Sequence, residues 1–154
     1  MGLADYKDWA IIISGIVGLI GLFLGLIQYA HFNAIKRAEH FLEMRKRFKD
    51  NDTFRTIFAL LESNPAALSD IPLKDRMHLV GFLEEVALMT NSRMIRRELA
   101  HYFFAYFALK IWRTDEFWNG MDRNSHGWAL YRDFVERMSV IDRKFRYSRR
   151  KFRF

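Results

Sequence analysis

Hydrophobic and polar positions divide this chain into two unequal parts. From Trp9 to Ile35 no side chain carries a charge, with histidine counted as neutral. Beyond Ile35 charged residues recur every few positions. As a helix, Trp9–Ile27 spans about 28 Å, close to the hydrocarbon thickness of a bilayer. The pattern therefore predicts one transmembrane helix followed by a water-facing domain. A cleavable signal peptide fits less well. Its start would be basic, whereas Asp5, Lys7 and Asp8 are net acidic, and Gln28–Phe32 offers no small-residue cleavage site. A buried soluble helix rarely runs this far without a charge.

The helical stripe continues past the uncharged run through Ile35, Ala38, Phe41, Leu42 and Phe48, to about residue 48. Asp52 then stands where it could cap a short helix, Thr53–Glu62, with Phe54, Ile57, Phe58 and Leu61 on one face. Ser63-Asn64-Pro65 breaks the chain, and Pro72 opens a further helix reaching about Thr90. Leu73, Met77, Val80, Leu83, Val86 and Leu88 give it a buried character. Asn91-Ser92 reads as a turn, with Ser92 capping an aromatic-dense helix over about Arg93–Trp112. Asp115 caps one more short turn through Phe117 and Trp118. After loops at Asn119-Gly120 and Asn124–Gly127, a last helix starts near Trp128. Its seam is Leu130, Phe134, Met138, Ile141 and Phe145. Strand signals are nearly absent. The expected fold is all-α: a single N-terminal transmembrane helix continuing into a small helical bundle. The divisions are 1–35 for the tail and span, 36–142 for the bundle and 143–154 for a basic-aromatic tail.

Charge sets an orientation. Lys36, Arg37, Arg45, Lys46, Arg47 and Lys49 follow the span, and Lys7 alone precedes it. The basic side stays in the cytoplasm, so the N-terminus is expected outside and the bundle inside. Trp9 and Tyr29 lie near the two ends of the span, where amphipathic aromatics belong.

The span also carries a pattern of its own. Ser14, Gly18, Gly21, Gly25 and Gln28 recur at alternating spacings of four and three. Apolar side chains give helices little drive to associate inside lipid, and close backbone packing along a small-residue seam supplies it. Membrane lipid and a homo-oligomer are thus the first expected partners. The seam either packs helices together or, in a ring, faces a lumen.

The chain has 154 residues, a formal charge of +7 and no cysteine, which excludes disulfides, thiolate metal sites and a cysteine nucleophile. The last twelve residues hold seven Lys or Arg and no acid, so they account for the whole net charge. No hydrolase triad, phosphate loop, dinucleotide fingerprint or metal-ligand spacing occurs, and neither a metal nor a cofactor is expected. The nearest approach to a chemical constellation is Arg96-Arg97-Glu98-Leu99-Ala100-His101. On a helix starting at Arg93, the residues Arg93, Arg97 and His101 share a face. An Arg that steadies phosphate and a His that moves a proton suit RNA cleavage through the 2′-hydroxyl. A partly buried His beside surface arginines is the plainer alternative.

This segment resembles the signature of HEPN ribonuclease domains, in which Arg and His are separated by a few residues. Those domains are helical and usually pair to build one site. Taken with the single N-terminal span and the small helical domain, the chain looks like the accessory membrane protein of type VI-B CRISPR systems. The resemblance covers architecture along the whole chain but only one motif. It implies a HEPN role for Arg96 and His101, catalytic or structural, with Arg97 able to take the place of Arg96. It further implies partnership with an RNA-guided RNA-cleaving effector, and an oligomeric, pore-forming action at the membrane in antiviral defence.

The C-terminal tail is a second candidate. Arg143, Lys144, Arg146, Arg149, Arg150, Lys151 and Arg153 alternate with Phe145, Tyr147, Phe152 and Phe154. Such a segment binds an anionic leaflet, at about 1 kcal/mol per basic residue, or RNA through phosphates and stacking. Three functions follow: an oligomeric membrane-perturbing protein, a membrane-tethered HEPN ribonuclease, and a membrane adaptor for a protein partner.

Overall fold

The computed structural model describes residues 3–144, and the side chains of 14–29 and 31–144 among them. All regular structure among the described residues is helical. The chain divides by its contacts into two units, Met1–Glu39 and His40–Phe154.

Helix α1 (Leu3–Asp50) belongs to both units. In the first unit it is bare. Val17, Leu19, Leu22 and Phe23 are each 62–69 % exposed. Among the described residues this is the one helix long and apolar enough to cross a membrane; its most apolar window has mean hydropathy 1.7 and no buried residue.

In the second unit, the last turns of α1 enter a core. Phe41, Met44 and Phe48 follow a helical spacing and are buried. The ring of Phe48 stacks on Phe82 at 5.2 Å and meets Phe104 and Phe107 edge-on, each at 5.2 Å. Helix α2 (Asp52–Ser63) begins one residue earlier than its periodicity predicts, because Asn51 and not Asp52 is the cap. Asn51 Oδ1 accepts from the Phe54 amide at 3.0 Å. Asp52 pairs instead with Arg55. Phe54, Ile57 and Leu61 are buried as expected. A 3₁₀ turn, Pro65–Asp70, inserts Leu68 into the core before α3 (Leu73–Asn91) starts after Pro72.

Helix α3 is the central element. Leu79, Val80, Phe82, Leu83, Val86 and Ala87 are all buried, so several faces are covered. Leu73, Met77 and Leu88, expected inside, are 42–59 % exposed. With apolar residues on several sides of the helix, spacing alone does not say which of them find a neighbour.

The largest departure follows α3. Arg93 has φ 60°, in the left-handed region. The Arg93 amide donates to Thr90 O at 3.2 Å and the Met94 amide to Met89 O at 2.9 Å. This pair of bonds ends a helix in the Schellman manner, with an arginine where glycine is usual. Ser92 therefore closes α3 and does not cap the next helix. That helix begins later, as α4 (Arg97–Ala100), with Arg96 at its N-cap in extended conformation. Arg93, outside it, shares no helix face with Arg97 and His101. A π-helical segment, His101–Ala105, follows and leads into α5 (Tyr106–Arg113).

Beyond α5, a 3₁₀ turn, Asp115–Trp118, buries Phe117 and Trp118. Its N-cap is Thr114, and Asp115 pairs with Arg123 at 2.8 Å. The last helix, α6 (Ala129–Lys144), is preceded by a short 3₁₀ turn, His126–Trp128. Tyr131, Phe134, Val135 and Met138 are its buried face, with Leu130 and Ile141 packed at the margin. Phe145 lies outside the described residues.

Candidate functional site

Among the described residues, the sequence motif meets a groove at the π-helical segment. An i→i+5 turn widens a helix by one residue and often marks a working position. Here it spans His101–Ala105 and sends His101 inward, 7 % exposed. Tyr102 and Tyr106, one helical step round, stay exposed. A groove of about 520 Å³ runs along this face. His101, Tyr106, Lys110 and Arg113 line it from the π segment and α5, and Asp142 lines it from α6.

His101 Nε2 lies 3.1 Å from Asp142 Oδ1. A carboxylate can only accept, so the imidazole donates from Nε2 and its ring orientation is set by α6. Further along the same helical run, Lys110 Nζ stands 2.6 Å from Glu62 Oε2, and the Tyr106 hydroxyl donates to Glu62 Oε1. The hydrogen bond from Lys110, then that from Tyr106, hold the Glu62 carboxyl below its ordinary pKa. The bond to Glu62 in turn raises Lys110. Both groups are therefore charged near neutrality. The groove is lined by an imidazole held by Asp142, by Lys110 and Tyr106 both engaged by Glu62, and by Arg113.

The motif residues separate. His101 lines the groove, while Arg96 and Arg97 are exposed and do not line it. Arg113 and Lys110 supply the positive charge there. Sequence reading missed them, together with Tyr106 and Asp142. For Arg113 a signal existed: 101, 105, 109 and 113 form a helical stripe. For Asp142, forty-one residues from His101, none did.

The seam residues Ser14, Gly18, Gly21, Gly25 and Gln28 all lie on α1 and are exposed. At 3.6 residues per turn they fall within an arc of about 80°. A Cβ added at Gly18, Gly21 or Gly25 would meet nothing within 4 Å. Of the basic tail, Arg143 and Lys144 end α6 exposed, and Arg143 Nε donates to Ser139 O at 3.3 Å. Arg146, Arg149, Arg150, Lys151 and Arg153 lie outside the described residues. Among the described residues no group of three His, Asp or Glu side chains is placed to hold a metal ion.

No protein-family model, no curated protein and no solved structure matches this chain.

Proposed function

We propose that the protein is a single-pass membrane protein whose apolar helices associate through the small-residue seam, and that the assembly perturbs the membrane it crosses. The observation that carries this reading is the bare stretch of α1. From Ser14 to Tyr29 every described side chain is exposed, and none is charged. In water such a surface costs about 25 cal/mol for each Å² of apolar area left uncovered, so lipid or other helices must cover it. The glycines on one face allow backbones to approach closely, which is how helices associate inside a bilayer.

The basic flank from Lys36 onward supports a bundle on the cytoplasmic side, in this reading of a bacterial inner membrane. The resemblance to the type VI-B accessory protein supplies the setting: antiviral defence beside an RNA-guided effector. The mass of the detergent-solubilised particle tests the assembly. Wild-type protein should run as a multiple of its 18.5 kDa chain. Replacing Gly18 and Gly21 by Leu should reduce it to one chain and remove its contribution to phage resistance. A particle of unchanged mass would sink the proposal.

A second reading, a membrane-tethered HEPN-like ribonuclease, draws support from His101 lining one groove together with Asp142, Lys110 and Arg113. Arg96 standing outside that groove weighs against it. Loss of RNA cleavage by purified protein on His101→Ala would favour this reading, and absence of any cleavage by wild type would end it.

A further inference from the structure

A second cavity, of about 300 Å³, opens wholly within the unit that begins at His40. Five phenyl rings form its floor and walls: Phe48, Phe58, Phe103, Phe104 and Phe107. They pack tightly, with Phe58 and Phe107 centroids 4.2 Å apart and Phe41 supporting Phe103 at 5.3 Å. Three cations stand round the same opening: Arg45, Lys49 and Arg55. The Arg45 guanidinium lies over the Phe103 ring at 4.6 Å. Arg55 is answered by Asp52, but Arg45 and Lys49 enter no ion pair among the described residues, and no acid lines the cavity.

An apolar hollow ringed by positive charge selects a ligand with an anionic head and a hydrocarbon body. The volume is at the lower end for small-molecule sites, enough for one narrow chain and too small for two. A nucleotide's phosphate fits the charge, but its base does not fit the floor. Its polar edge needs hydrogen-bonding partners, and phenyl rings supply none, so burial there would leave those groups unsatisfied. The chain's own basic-aromatic end bears the same sign as the rim and is repelled by it.

We propose that this cavity is a binding site for a single-chain anionic lipid, a fatty acid or its phosphate-headed equivalent, with the acyl chain among the Phe rings and the head group on Arg45 and Lys49. The residues that line it all lie outside the uncharged stretch Trp9–Ile35.

The test is photo-crosslinking of full-length protein, in nanodiscs of zwitterionic lipid, with dodecanoate carrying a diazirine near its methyl end. Adducts should map by mass spectrometry to Asp52–Ser63 and to Phe103–Phe107, and unlabelled dodecanoate should compete. Charge reversal at the rim, Arg45→Glu with Lys49→Glu, should reduce these adducts about tenfold through loss of charge-assisted contacts. Labelling of the Trp9–Ile35 stretch should not change. The methyl ester of the probe, used on wild type, keeps the test decisive if the double variant misfolds, because without a charge it should label the Phe segments far less. Adducts confined to Trp9–Ile35, equal labelling by the ester, or displacement by an RNA oligonucleotide or an acidic peptide but not by dodecanoate would each overturn the proposal.

Discussion

Arg76 Nη1 donates to the carbonyl oxygen of Phe117 at 2.7 Å, a buried bond joining positions 41 residues apart. The same nitrogen reaches Asn119 O at 2.8 Å, and Nε reaches Ile71 O at 3.1 Å. Arg76 is 4 % exposed, and burial draws its pKa below the ordinary guanidinium value without removing the charge. Three carbonyls take the place of a carboxylate. One side chain thereby ties the start of α3 to the segment after α5.

Arg76→Met fills similar space and leaves those carbonyls without their donor. The expected cost is about 3 kcal/mol, the range for buried bonds to a charged group. Arg76→Lys should recover only part of it, because an ammonium cannot reproduce the planar fork. Thermal unfolding followed by tryptophan fluorescence reports directly, since Trp118 neighbours the bonded carbonyl of Phe117. A melting temperature unchanged in Arg76→Met would show the bonds to be dispensable.

Arg93 occupies a left-handed conformation, φ 60°, at the position where the end of α3 favours glycine. A side chain there costs about 1 kcal/mol. Arg93→Gly relieves that cost but adds backbone freedom to the unfolded chain. A net gain of about 0.5 kcal/mol is expected, a rise of roughly 2–4 °C in melting temperature. Arg93→Ala is the control, expected to remain at the wild-type value. A fall for Arg93→Gly would mean that the arginine side chain contributes more than the strain it imposes.

This turn marks where sequence and structure part. Periodicity located the helices wherever a buried stripe ran uninterrupted, as for Phe54, Ile57 and Leu61 on α2 or Phe134 and Met138 on α6. It failed between Asn91 and Arg97, because a Schellman ending without glycine leaves no sign in the residue types. Starting the next helix four residues early placed Arg93, Arg97 and His101 on one face, and the extended backbone at Arg96 undoes that grouping. The groove depends further on the π segment and on Asp142 of α6. Neither a widened turn nor a partner forty-one residues away is written in local spacing. The apolar stretch of α1 was legible because it needs no tertiary contact to define it.

Glu84 is half-buried on α3, and its Oε1 accepts from the Tyr131 amide at 3.3 Å. Burial raises its pKa, and the bond from Tyr131 only partly opposes the rise. A carboxyl with a raised folded-state pKa holds its proton more tightly when folded. Its contribution is therefore favourable at low pH. That contribution is lost as pH climbs from the unfolded value, about 4.3, through the folded one. Glu84→Gln keeps an acceptor for Tyr131 and cannot ionise. The variant should match wild type at the acid end and melt higher near neutrality, with the gap opening across that window. A gap independent of pH would show that Glu84 ionises as freely in the folded chain as in the unfolded one.

The absence of cysteine makes membrane topology directly measurable, because one introduced thiol is then unique. Ser69 lies exposed in the 3₁₀ turn Pro65–Asp70, where its hydroxyl donates only to Ala66 O at 2.8 Å. Ser69→Cys should fold normally, since loss of one exposed bond costs about 1 kcal/mol or less. Ala4→Cys places a thiol before the uncharged run. If Lys36 and the basic residues after it hold the bundle in the cytoplasm, a membrane-impermeant maleimide should label Ala4→Cys in intact spheroplasts. It should reach Ser69→Cys only after permeabilisation. Replacing Lys36, Arg37, Arg45, Lys46, Arg47 and Lys49 by Gln, with two Lys added before Trp9, should invert or mix the two patterns. Equal labelling of both thiols in intact spheroplasts of the wild-type background would show that α1 does not cross the membrane.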